Sequence, residues 1–140
     1  MRIALAESDA DIARCYPVMA ELRPHLAERD FVARVRRQQQ SGYLLACLED
    51  EGEIRSVAGY RFLEMLACGK ILYVDDLVTH KDCRSAGYGG RLFDWLVEQA
   101  RAAGCDEFHL DSGVQRHDAH RFYFCHGMSI VWHHFSMKLD

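Results

Sequence analysis

Seven consecutive residues, Arg84-Ser85-Ala86-Gly87-Tyr88-Gly89-Gly90, lie between an apolar run that reads as a strand and a segment that reads as an amphipathic helix. Glycines at such a junction let the backbone approach an anion closely. The helix then offers its unpaired first-turn N–H groups and the positive end of its dipole. The arrangement predicts a diphosphate cradle. A P-loop is excluded, because no Lys followed by Ser or Thr comes after Gly90. A dinucleotide fold is disfavoured, since its glycines follow the first strand of a long parallel sheet and keep a third spacing that is missing here. A turn that merely caps a helix is the remaining alternative.

The elements that must position this turn follow from periodicity. Ile3-Ala4-Leu5 reads as a first strand, and Ser8 or Asp9 can cap a helix whose apolar stripe is Ile12, Cys15, Tyr16 and Met19. Pro24 closes that segment. A second helix is expected from Asp30 to Gln40, burying Phe31, Val32 and Val35 and ending at Ser41-Gly42. Strands follow over Tyr43–Leu48, Ile54–Leu66 and Ile71–Thr79, joined by tight turns and hence antiparallel. The pattern then changes. An amphipathic helix over Gly87–Ala103 precedes a strand over Glu107–Asp111, a helix over Arg116–His126 and a last strand over Ile130–Leu139. A strand-helix-strand unit implies a parallel pair with a right-handed crossover. The expected fold class is α/β (α+β), a mixed, mostly antiparallel sheet of about six strands with helices on both faces.

Composition sets limits. At 140 residues the chain is expected to form one domain, residues 1–140, and 49% apolar with 27% charged residues is an ordinary globular balance. A net charge of −4 gives no reason to expect nucleic acid. Arg34, Arg36 and Arg37 form the only tight basic cluster and read as a solvated helix face. No apolar run suits a membrane span, and the N-terminus is too short and too soon interrupted for a signal peptide, so a cytoplasmic location is expected. The six cysteines lack Cys-x-x-Cys spacing and read as reduced thiols. His117 and His120, with Cys125 and His126 following, match no usual zinc spacing, and no metal is expected.

The glycine turn has company. Leu72-Tyr73-Val74-Asp75-Asp76-Leu77-Val78-Thr79, then Arg84-x-x-Gly87-x-Gly89, an amphipathic helix, a strand, and Ala119-His120-Arg121-Phe122-Tyr123 with Gly127-Met128 resemble the Gcn5-related N-acetyltransferase superfamily. The resemblance runs from about Tyr43 to the end and implies that fold, with a locally parallel, splayed strand pair. It implies an acetyl-CoA-dependent N-acetyltransferase that acetylates a primary amine of a small molecule or peptide by direct attack. A non-catalytic acyl-CoA-binding sensor on the same fold is the alternative. It also implies a homodimer as a common state, with Trp132 and Phe135 open to an interface or to the core.

The resemblance carries roles for particular residues. Arg84, Ser85, Ala86, Gly87, Tyr88, Gly89 and Gly90 would hold the coenzyme pyrophosphate. Leu77, Val78 and Thr79 would pair with the pantetheine arm, an N–H near Leu77 or Val78 polarising the thioester carbonyl. Tyr123 matches the tyrosine that protonates the departing thiolate, and a phenol of pKa about 10 suits that task; the alternative is a core aromatic beside Phe122. Asp75 shares strand parity with Tyr73 and Leu77, the side that lines the cleft in the family. It is therefore the expected base or ammonium clamp, with Glu64 as the alternative. Ser112 could bond to coenzyme or substrate, or cap a turn, while Ala119 and Phe122 belong to the coenzyme-binding helix. Arg116 stands where relatives often have Asn, so that role is not carried over. A carboxylate-bearing cleft points to a cationic acceptor such as a polyamine, an aminoglycoside or a lysine side chain.

Overall fold

A computed structural model describes residues 1–140, which fold as two compact units, Met1–His109 and Leu110–Asp140. The first unit is built on a sheet of strand order β1-β2-β3-β4-β5, where β1 is Arg2–Leu5, β2 Leu44–Asp50, β3 Glu53–Met65, β4 Gly69–Thr79 and β5 Glu107–Leu110. The pairs β1–β2, β2–β3 and β3–β4 are antiparallel, as tight turns between the last three require. Asp106, just before β5, donates its N–H to the Lys70 carbonyl at the start of β4 at 2.7 Å, and the two strands run on in the same direction. Five strands are formed where six were expected.

Helix α1 (Asp9–Leu22) begins where the sequence places it, with the Ser8 hydroxyl accepting from the Asp11 N–H at 3.1 Å. Helix α2 is Glu28–Gln39, and α3 is Tyr88–Ala102. β2 is buried on both faces, which explains its unbroken apolar run. Leu45 and Cys47 join Ile12, Cys15, Met19, Phe31 and Val35 in the core under α1 and α2. Ala46 and Leu48, of opposite parity, are equally buried. On that second face, Tyr60 of β3 meets Trp95 of α3 edge-to-face, with ring centroids 6.1 Å apart. Helices thus cover both faces of the sheet.

The register of β3 against β4 contains one irregularity, and it lies at the candidate site. Gly59 pairs with Asp76 and Tyr60 with Val74, so Asp75 is an extra residue, a β-bulge. Upstream of the bulge, Tyr73 and Asp75 share a face; downstream, that face is continued by Asp76 and Val78. Asp75 and Asp76 therefore border the same cleft rather than opposite sides of the sheet. Strict alternation would put Asp76 on the face opposite Asp75 and Leu77 on the same one; it fails here because the period of two breaks where an extra residue enters the strand.

In the second unit, α4 spans His117–Cys125 and closes on Gly127, whose φ of +85° ends the helix. The expected last strand over Ile130–Leu139 is not formed. Residues 129–140 are exposed throughout, and β-branched and aromatic residues do not hold a strand without a paired neighbour. No helix of the chain is long and apolar enough to cross a membrane.

Gly59 is required by close approach. A Cβ there would lie 1.9 Å from the Tyr43 hydroxyl and 2.5 Å from Asp76 Oδ2. Gly59→Ala is expected to destabilise the fold by about 1–3 kcal/mol through overpacking. Denaturant unfolding checks this, and an unchanged midpoint would contradict it.

Candidate active site

The strand β4 runs into the glycine turn through a short 3₁₀ turn over Lys81–Cys83, which the His80 side chain caps by accepting from the Asp82 N–H at 3.1 Å. Gly87 caps α3 with φ +82°, a left-handed conformation that side-chain-bearing residues adopt at a cost of about 1 kcal/mol or more. The first α3 bond runs from the Arg91 N–H to the Gly87 carbonyl. The N–H groups of Tyr88, Gly89 and Gly90 are thus those a helix leaves without an intrahelical acceptor. Residues 84–87 are exposed. One expected donor is already used: the Ala86 N–H bonds to the Cys83 carbonyl at 3.2 Å. Arg84 is exposed; its Nε donates to the Thr79 carbonyl at 3.3 Å and its guanidinium lies 3.5 Å from Glu21. The Tyr88 hydroxyl donates to Asp50 at 2.7 Å, tying the start of α3 to the end of β2.

Leu77, Val78 and Thr79 pair through one edge with Ala58, Val57 and Ser56 of β3. On the other side β5 has four residues against eleven in β4, and the two strands start together. β5 therefore stops well before Leu77, and no strand pairs with the end of β4 on that side. Eight residues, 80–87, join the end of this strand to the amides at the start of α3.

The cleft at the bulge has a volume of about 420 Å³ and is bordered by Arg23, Arg34, Tyr43, Tyr73, Asp75 and Asp76. Both carboxylates have partners. Arg61 reaches Asp75 as a fork, Nε to Oδ1 at 3.0 Å and Nη2 to Oδ2 at 2.6 Å. Arg23 Nε donates to Asp76 Oδ1 at 2.9 Å, and its Nη2 donates to the Asp75 carbonyl at 2.9 Å. The Tyr43 hydroxyl donates to Asp76 Oδ2 at 2.8 Å. Burial, reinforced by the negative Asp76, raises the Tyr43 pKa well above its ordinary value, so Tyr43 remains a donor. Arg61 also stands over the Tyr43 ring, 5.5 Å from its centroid. Glu64, the alternative carboxylate, is exposed and does not border this cleft.

The arginine cluster of α2 divides. Arg36 pairs with Asp9 at 2.8 Å on the surface, as a solvated face would. Arg34 turns into the cleft instead, with its Nε buried and without a hydrogen-bond partner. Sequence reasoning missed Tyr43, Arg61 and Arg34 as site residues. Arg61 falls on the cleft side of β3 at the same parity as Gly59, a signal that needs the register to be read.

In the second unit, burial raises the Tyr123 pKa above its ordinary value, opposed by the positive charge of Arg116. The Tyr123 carbonyl accepts from the Met128 N–H at 3.1 Å, closing the end of α4. The Phe122 ring lies 5.5 Å from that of Tyr123 and 4.1 Å from that of His126. Ala119 is half-buried on α4. The Ser112 hydroxyl is buried and has no hydrogen-bond partner, a cost that a ligand atom would relieve.

A model of the Acetyltransferase (GNAT) family matches residues 8–128. The chain belongs to that family. The acetyltransferase is 39% identical over 117 residues to the uncharacterized N-acetyltransferase YhdJ of Bacillus subtilis (strain 168), spanning 83% of this chain and 82% of that protein. A shorter match, 37% identical over 54 residues, relates 39% of the chain to 35% of the aminoalkylphosphonate N-acetyltransferase of Salmonella typhimurium (strain LT2). The solved ribosomal-protein-alanine N-acetyltransferase from Brucella melitensis biovar Abortus 2308 superposes with a TM-score of 0.84 at 17% identity, covering 99% of this chain and 100% of that one, which is a likeness of fold. The sequence resemblance to this family is borne out, as is the mixed, mostly antiparallel sheet with one parallel pair. The protein is an N-acetyltransferase.

Tyr43→Phe removes one of the two side-chain donors to Asp76 and is expected to cost about 1–3 kcal/mol. The denaturant midpoint should fall with an unchanged slope. A tyrosine whose folded pKa is raised contributes stability that is present below its unfolded value of about 10 and lost as pH rises above it. The wild type should therefore lose stability above that pH more steeply than Tyr43→Phe; parallel pH profiles would contradict the assignment.

Proposed function

We propose that the protein transfers the acetyl group of acetyl-CoA to a primary amine of a small molecule or peptide by direct attack. One observation carries this reading: the end of β4 at Leu77–Thr79, beyond the reach of β5, leads through a short turn into the Gly87-capped start of α3, and the same strand borders the cleft at Asp75 and Asp76. Acetyl-CoA supplies an acetyl group already activated as a thioester. The amides of Ser85, Gly87, Tyr88, Gly89 and Gly90 bind its two linked phosphates, with Arg84 adding positive charge at the rim. The backbone of Leu77, Val78 and Thr79 aligns the pantetheine arm as an added strand would align. An N–H of Leu77 or Val78 donates to the carbonyl oxygen on which negative charge grows. Ser112, Ala119 and Phe122 are assigned to the coenzyme by the family resemblance alone.

An amine is protonated at pH 7 and attacks only as the free base. Asp75 holds the ammonium and takes its proton, directly or through water, while the Arg61 fork fixes its orientation. Tyr123 delivers a proton to the departing sulfur. Its raised pKa suits this, because the phenol stays protonated across the physiological range. The partial match to the aminoalkylphosphonate N-acetyltransferase supports a small-molecule acceptor.

Release of free thiol from acetyl-CoA in the presence of an amine panel tests the reaction. Tyr123→Phe should lower kcat by roughly 100-fold or more while leaving the Kd for CoA unchanged. Undiminished kcat in that variant would remove Tyr123 from the chemistry, whereas acetyl-CoA binding by the wild type with no thiol release for any amine would favour a sensor. Asp75→Asn should lower kcat/KM to a similar degree, and full activity in that variant would remove Asp75 from the chemistry.

A further inference from the structure

The charges around the cleft do not cancel. Three guanidinium groups, those of Arg23, Arg34 and Arg61, stand against two carboxylates, Asp75 and Asp76. Arg23 and Arg61 are matched: each holds a carboxylate at hydrogen-bond distance. Arg34 is not. It projects from α2 into the cleft, and its Nε is buried with no acceptor. A buried donor left unpaired costs about 1–3 kcal/mol, more for a charged group, and an acceptor in the cleft would recover that cost. Each of the carboxylates that suggest a polycationic acceptor in the sequence already carries an arginine, so the cleft has no surplus negative charge for a second cation.

We propose that the acceptor is a small amine that also carries an anionic oxyacid group, a carboxylate or a phosphonate, and that Arg34 binds that group. The inference rests on the acetyl-transfer reading for the fate of the amine, but not for the Arg34 contact. A guanidinium offers its donors in a planar fork that matches two oxygens of such a group at once, which a Lys would not do. Gln38 follows one helical turn after Arg34, borders the same cleft and adds an amide donor. With the acid on α2 and the amine toward Asp75 on β4, one molecule spans the cleft with its reacting nitrogen at the strand that leads to Leu77–Thr79. A second ammonium at the Arg34 end would face an unpaired positive charge, which disfavours diamines and polyamines.

The test uses amines that differ only in the far group. Aminomethylphosphonate and β-alanine carry the acid, ethanolamine a neutral hydroxyl and ethylenediamine a second cation. Thiol release should give the better acidic amine a kcat/KM at least about 10-fold above both others, as one or two charge-assisted hydrogen bonds imply. Arg34→Gln should abolish that preference through KM, with the Kd for CoA unchanged; Arg34→Lys should restore only part of it. The two acidic arms distinguish carboxylate from phosphonate. Calorimetric binding of the same four amines to the wild type and Arg34→Gln reads the contact without turnover. Arg34-dependent preference for acidic amines in calorimetry, with no thiol release, would leave the site standing and remove acetyl transfer. Equal binding of all four amines, or a preference that survives in Arg34→Gln, would overturn the proposal.

Discussion

Two adjacent carboxylates on one face of a strand repel each other, and the site depends on how that repulsion is met. The bulge at Asp75 brings both onto the cleft side. Arg61 then takes Asp75 as a fork, while Arg23 and Tyr43 divide the oxygens of Asp76. These partners come from β3, from the end of α1 and from the residue before β2, so one ionic network joins three parts of the first unit. Close pairing of this kind holds side chains in single orientations more than it adds stability, because desolvating the charges consumes much of the attraction. What it secures is a cleft whose shape and charge are set before any ligand arrives.

That network also explains small features around it. Gly59 lacks a side chain because the Tyr43 hydroxyl and Asp76 occupy the space a Cβ would need. Tyr43 is buried and aromatic yet not a plain core residue: its ring supports Arg61 and its hydroxyl serves Asp76. At the far end of the same strand the demands are different. There β4 outruns β5, and the chain turns from it into the positive end of α3. A single strand thus presents side-chain chemistry at its bulge and backbone chemistry at its end, separated by roughly 7–10 Å at strand spacing.

Much of this was legible in the sequence, for physical reasons. The Ser8 cap, the apolar stripes of α1 and α3 and the unbroken run of β2 are local signals, and each element formed within a few residues of its expected bounds. Gly87, read as the turn that starts α3, takes the positive φ that only a glycine adopts cheaply. A bulge near Leu77 was implied by the family resemblance, but its place at Asp75 was not legible, since alternation along one strand says nothing about an extra residue against its neighbour. Nor were the partners of Asp75 and Asp76, because Arg61 and Arg23 approach them only once the sheet and α1 are assembled. Arg34, read with Arg36 and Arg37 as one solvated face, separates from Arg36 because positions two apart on a helix point about 160° apart. The segment over Ile130–Leu139 has strand-like composition but no neighbour to pair with, and pairing is what a strand needs.

The central claim is that main-chain amides at the start of α3 and along the end of β4 receive the coenzyme. Amide-resolved NMR during titration with acetyl-CoA measures this directly on the wild-type chain. The amide signals of Gly87, Tyr88, Gly89 and Gly90, together with those of Leu77, Val78 and Thr79, should move in a saturable way and with a common Kd. Saturable shifts confined to other parts of the chain, or no shifts in a folded sample, would contradict it.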